Sequence, residues 1–232
     1  MGTDSGTKEL RRLAFLTWAS IFIMGYLNGF AIRTAFLGSA VTPQTGNVLQ
    51  MGLNTAAGNW PALLVNFALF FGFIIGVIFA LFTQNSIKHK TGQFIFSWTI
   101  FALPIALFPF YMQFLNRNIA FLILGFVSGV GLGFFRKIYH LDINNAMATG
   151  NVRFLGIWFA EAFMKKARTD KKEVFTFVIF LVCILLFALG AFFYGVFSKL
   201  DNDGSGSFSF VNTALIIFCA IPYLAAPKNT AS

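Results

Sequence analysis

The sequence predicts an all-α polytopic membrane protein with a two-fold internal repeat. Composition is the first reason. Of 232 residues, 57% are hydrophobic and only 11% charged, against about a quarter charged in soluble domains. Such a chain lacks the polar groups to cover a water-facing surface. The second reason is a set of long apolar runs free of charge. The third is a tripeptide, Thr-Gly-Asn, that occurs at Thr45-Gly46-Asn47 and again at Thr149-Gly150-Asn151, 104 residues apart (149 − 45).

The uncharged runs are Leu13–Ile32, Ala62–Thr83, Phe94–Leu115, Ile119–Phe135, Val174–Phe197 and Phe208–Ala225. A span needs about 20 apolar residues, with a range of about 17 to 25. The runs are continuous and do not alternate in short segments, so helices are expected and not a barrel. Lys8, Arg11 and Arg12 before Leu13 resemble a secretory leader, but the apolar run that follows is long, and it reads as a retained first span after a polar tail of residues 1–9. Cys183 and Cys219 lie inside apolar runs and read as small core residues.

Around the tripeptide, the offset of 104 also pairs Gly25 with Gly129, Gly29 with Gly133, Arg33 with Lys137 and Gly52 with Gly156. Each half then has one order: long span, polar loop, Thr-Gly-Asn, a short amphipathic segment, two long spans. Repeat 1 covers residues 10–116 and repeat 2 residues 117–232. The short segments, Asn47–Gly58 and Asn151–Met164, are half-helices by length. A dozen residues at about 1.5 Å each reach only about 18 Å, short of a hydrocarbon core of about 30 Å.

Positive charge decides between two topologies. If the short segments re-enter, there are six spans, and 14 of the 17 Lys and Arg lie on the side of the N-terminus, with Arg33, Arg117 and Lys199 opposite. If they cross, there are eight spans and the split becomes 10 to 7. Cytoplasmic loops concentrate Lys and Arg, so six spans with both termini cytoplasmic are expected. Three spans per half is an odd number, which makes the repeats inverted; eight spans would make them parallel, 4+4. The small-residue pattern Gly25/Gly29 and its equivalent Gly129/Gly133 predict that the same helix of each half packs at the pseudo-twofold axis, or at a contact between copies of the chain.

The net charge of +9 does not signal nucleic acid. The positive residues sit in connecting segments, and no basic helix interleaved with exposed aromatics is present. The partners expected are the bilayer, a small solute and a second copy of the chain. Intramembrane polar residues are the candidate site. Asn is a strong helix N-cap, so Asn47 and Asn151 are expected to begin the short helices, with Gly46 and Gly150 allowing close approach or positive φ and Thr45 and Thr149 supplying hydroxyls. A buried helix start offers free N–H groups to an anion or a polar solute. Asn28 and Gln44 lie at membrane depth before the first motif; His140, Asp142 and Asn145 lie in the loop before the second. His140 and Asp142 have the residue types to handle a proton. The alternative is that the tripeptides only cap two buried helix ends.

Other motifs carry less. Asp201-Asn202-Asp203-Gly204-Ser205-Gly206 resembles the start of a calcium loop, but position twelve is Asn212 and not Glu, and a hydrophilic turn is expected. Lys165 to Lys172 reads as a basic loop facing lipid headgroups. No catalytic motif, resident metal site or cofactor signature is present, so an enzyme is not expected.

The runs Gly25-Tyr26-Leu27-Asn28-Gly29-Phe30, Pro43-Gln44-Thr45-Gly46-Asn47-Val48-Leu49-Gln50-Met51-Gly52 and Met147-Ala148-Thr149-Gly150-Asn151-Val152-Arg153 resemble the YoaK family of bacterial membrane proteins. The resemblance implies a multispanning protein of the bacterial inner membrane and names no substrate. Asn28 stands where that family commonly has Asp, and Gly133-Phe134-Phe135 stands where a polar pair is usual. The function expected is a small-solute transporter or channel, with a non-transporting sensor or scaffold as the alternative.

Overall fold

The computed structural model describes residues 3–34, 41–42, 44–87, 90–144, 148–161 and 171–199. Helix α1 covers Thr3–Thr34, so the stretch expected as a tail is continuous with the first span. Helix α2 covers Gln44–Ala56 and α3 covers Trp60–Ser86. The turn between them is short. Gly58 takes φ +66°, a left-handed conformation open to glycine, and Asn59 caps α3 by accepting the Ala62 N–H at 3.3 Å.

The predicted span Phe94–Leu115 is not one helix. It divides into α4, Lys90–Ala106, and α5, Phe108–Phe114, with the break at Leu107. Pro109 lies in the first turn of α5 and has no N–H for the carbonyl four residues earlier, so one helix cannot run on with all its bonds made. Helix α6, Arg117–Phe134, starts at the cap Asn116, whose side chain accepts the Asn118 N–H at 2.9 Å. A two-residue hairpin follows. Strand β1, Lys137–Ile138, pairs antiparallel with β2, Leu141–Asp142, and Tyr139 at the tip has φ +54°. Helix α7 covers Ala148–Phe159 and α8 covers Lys171–Phe197. The sixth expected span, Phe208–Ala225, and the Asp201–Gly206 turn lie outside the described residues.

Two helix pairs hold the bundle, α1 with α8 and α3 with α6. Both are built on glycine. A methyl group added at Gly25 would fall on the Phe187 carbonyl oxygen, and one added at Gly190 on the Phe22 carbonyl. At Gly129 it would fall on the Phe73 carbonyl, and at Gly76 on that of Phe126. Only a bare Cα lets backbones come this close. The contacts correspond: adding 104 to Phe22 and Tyr26, which face Gly190, gives Phe126 and Val130, which face Gly76. The expectation that α1 and α6 pack on each other through their glycines is thus corrected. Each packs on the second long helix of the other half. There it meets backbone carbonyls, of Phe187 for α1 and of Phe73 for α6, beside further glycines.

Helix directions follow from which residues meet. Gly25 lies on Phe187 and Gly29 on Ala191, so α1 and α8 run parallel. Gly125 lies on Leu69 and Gly129 on Phe73, so α3 and α6 run parallel. The two pairs oppose each other. Midway along α1, the Thr17 hydroxyl donates to the Lys137 carbonyl, 2.8 Å away and just past the end of α6. Near the end of α1, the Phe30 ring lies 5.4 Å from Phe108, which lies 6.3 Å from Phe121 near the start of α6. The ring chain continues from Phe30 to Tyr194 and Tyr26, edge to face, and joins both pairs through α5. At the other end Trp98, Phe101 and Phe135 form a second ring cluster between α4 and α6.

Four described helices are long and apolar enough to cross a membrane: residues Leu10–Ile32, Trp60–Ser86, Arg117–Phe134 and Lys171–Phe197. Their outer faces are apolar as well. Phe82 is 71% exposed, Ile78 61% and Phe192 63%. A belt of this kind is unfavourable in water and ordinary against lipid tails.

Candidate functional site

Asn28 anchors the first polar cluster. It is buried on α1, its Nδ2 donates to the Met24 carbonyl at 2.8 Å and to the Thr42 hydroxyl at 2.6 Å, and its Oδ1 accepts the Thr42 N–H at 3.3 Å. This ties the chain entering α2 to a level six residues before the end of α1. Gln44, also buried, opens α2 and donates from Nε2 to the Val41 carbonyl at 3.1 Å. That bond turns its Oε1 toward Asn47, whose Nδ2 donates to it at 3.1 Å. The orientation of Asn47 is therefore forced, since a flipped amide would set two carbonyls face to face. Its Oδ1 is left buried with no hydrogen-bond partner among the described residues. Leaving such a group unsatisfied costs about 1–3 kcal/mol.

The second cluster is closed. Asn151 is 2% exposed, its Nδ2 donates to the Asn144 carbonyl at 2.8 Å, and its Oδ1 accepts the Asn144 N–H at 3.1 Å. One amide thus satisfies both backbone groups of Asn144. Asn47 and Asn151 occupy the same place in their helices, the fourth residue of α2 and of α7. The N-cap expectation is corrected for both: the helices begin three residues earlier than Asn47 and Asn151, and the side chains reach back to groups that precede them. Capping asparagines do occur, at Asn59 of α3 and Asn116 of α6.

Both short helices start inside the bundle. Helix α2 packs on α3 and reaches it by a three-residue turn, so it runs antiparallel to α3 and begins deeper than it ends. Helix α7 runs antiparallel to α8: Phe159 lies 5.9 Å from Phe177 and Phe154 stacks at 5.2 Å on Phe180. Asn151 lies nearly one turn deeper still. The two helices approach from opposite ends, because the chain turns into α2 at the end of α1 and into α7 at the end of α6.

The other predicted residues divide. Thr45 is exposed, and Gly46 is exposed with nothing within 4 Å of an added methyl and no positive φ. Gly150 is approached closely, with the Asn144 amide nitrogen 3.3 Å from an added methyl. Thr149 lies in α7 with its side chain outside the description, and Asn145 lies outside the described residues. His140 is exposed at the hairpin tip. Asp142 is exposed and faces Lys137 at 3.9 Å. Neither of these two is brought to Asn151, and Asn47 and Asn151 do not bond to each other. Thr42 and Asn144 complete the clusters. A polar residue shortly before each tripeptide was their only signal in the sequence. Among the described residues there is no group of three or more His, Cys, Asp or Glu that could hold a metal.

Long apolar helices, lipid-exposed faces and buried amides at interrupted helices define a helical membrane protein. The chain belongs to the family described as protein of unknown function (DUF1275), whose family model matches residues 16–221. No curated protein and no solved structure matches it.

Proposed function

We propose that the chain is a small-solute transporter or channel of the bacterial inner membrane, and that its solute carries a hydrogen-bond donor. The observation that supports this is the Asn47 Oδ1, buried, fixed in orientation and unpartnered beside the start of an interrupted helix. A free acceptor suits a hydroxyl, amide or ammonium group better than a bare anion, while the helix start supplies N–H groups for an acceptor on the same solute. Thr45, Gly46, Asn47, Thr149, Gly150 and Asn151 form the solute path in this reading, with Asn28 and Gln44 holding the first half in place.

The architecture in this reading is six spans and two re-entrant half-helices, related as inverted 3+3 repeats. The opposed directions of α1 and α3 support it, since a short helix between them has no need to cross. The corresponding contacts at Gly76 and Gly190 support a pseudo-twofold relation. A single cysteine placed between Lys88 and Thr91, in a Cys183→Ser, Cys219→Ser background, is expected to label only from the cytoplasm. Labelling from outside would mean eight spans and parallel repeats.

The second reading, a sensor or scaffold, draws on Asn151, whose amide is fully occupied by Asn144. A flux panel in proteoliposomes separates the two. Asn47→Ala is expected to lower solute flux by about tenfold or more while the protein stays folded, the scale set by one lost buried hydrogen bond. Wild-type flux in that variant would remove Asn47 from the path.

A further inference from the structure

A cavity of about 330 Å³, lined by neither tripeptide, lies where α3 and α6 end and α4 begins. Its charged lining is basic: Arg136 and Lys137, both exposed. Lys137 meets Asp142 only at 3.9 Å, with the two side chains 59% and 79% exposed, a pair that holds neither group firmly. Among the described residues, no carboxylate lines the cavity.

One carbonyl at each of two helix ends is already occupied by a glutamine amide. Gln84 donates to the Gly133 carbonyl at 2.8 Å, and Gln93 donates to the Gln84 carbonyl at 3.4 Å. Both amides keep a side-chain oxygen with no hydrogen-bond partner among the described residues. The remaining wall is apolar, with Leu13, Phe94 and Phe134. Two cations, two free acceptors and an apolar wall occur together at the end of a membrane helix bundle.

We propose that this cavity binds the headgroup of an anionic, hydroxyl-bearing phospholipid. Arg136 and Lys137 hold the phosphate, as basic pockets between membrane helices do. The Gln84 and Gln93 oxygens accept from headgroup hydroxyls, and the acyl chains continue along the aromatic wall. The site is independent of the solute path at Asn47.

The test uses the delipidated full-length chain in detergent, with phosphatidylglycerol or phosphatidylcholine added, and bound-lipid adducts counted by native mass spectrometry. Phosphatidylglycerol adducts are expected to fall about tenfold or more in Arg136→Ala/Lys137→Ala. They are expected to persist in Lys171→Ala/Lys172→Ala, which removes the same charge at the start of α8 and outside the cavity. The swap Arg136→Lys/Lys137→Arg is expected to retain them, which guards against loss through misfolding. Equal binding of the two lipids, equal loss in both alanine pairs, or loss in the swap would overturn the proposal. Displacement of phosphatidylglycerol by millimolar inorganic phosphate would assign the cavity to soluble phosphate and overturn the lipid.

Discussion

Gly25→Ala and Gly76→Ala should each abolish recovery of folded protein, although each adds one methyl group. In both cases the methyl lands on a carbonyl of the partner helix, at Phe187 or at Phe126. A side chain can rotate away from a clash, but helix backbone cannot, so the two helices must separate along their length. Overpacking a core ordinarily costs about 1–3 kcal/mol, and an unyielding backbone contact belongs at or above the top of that range. Separation also forfeits the close packing that holds helices together in lipid, where the hydrophobic effect gives no help. Gly129→Ala and Gly190→Ala, the corresponding positions, should behave alike. Gly52→Ala and Gly156→Ala should be neutral or gain up to about 1 kcal/mol, since nothing lies within 4 Å of either and alanine is the better helix former. Gel-filtration recovery after a temperature ramp reads all six. Recovery of Gly25→Ala at the level of Gly52→Ala would mean that the α1–α8 contact is not as close as described.

The second large effect distinguishes two asparagines that look equivalent in the sequence. Asn151→Ala leaves both the N–H and the C=O of Asn144 without a partner, and should cost about 2–3 kcal/mol. Asn47→Ala removes an orphan acceptor along with one bond to Gln44, and should change stability by less than about 1 kcal/mol. Thermal unfolding in one detergent compares them directly. A larger loss at Asn47 than at Asn151 would contradict the hydrogen-bond assignment and return Asn47 to a purely structural part. Stability is thus expected to respond more to Asn151, and Asn47→Ala to lower flux without loss of the fold.

Much of the architecture was legible in the chain. The apolar runs located α1, α3, α6 and α8 because a span is a length and composition requirement, and both are visible in sequence. The tripeptides located the two interrupted helices and their buried asparagines. What escaped was local. Helix starts depend on which of several nearby polar groups satisfies the first N–H groups, and Asn59 and Asn116 have the same residue type as Asn47 and Asn151. Only the fold reveals which of them looks outward and which looks back. The break at Leu107 was readable from Pro109, yet the run around it is uniformly apolar and masks the interruption. The hairpin at Lys137–Asp142 has no glycine at its tip, so the usual turn signal is missing, and Tyr139 takes the left-handed conformation instead. The glycine pattern identified close packing but not its partner, because a small-residue face specifies distance and says nothing of which helix will arrive.

The crossed pairing of helices also sets a timetable. Helix α3 meets α6 after a short stretch of further synthesis, but α1 must wait for Phe187 and Gly190, about 160 residues behind it. At about 5–20 residues per second, that is roughly ten to thirty seconds in the membrane with its glycine face bare. For that interval α1 is made and its neighbour is not, and lipid, a chaperone or another nascent chain must stand in for α8.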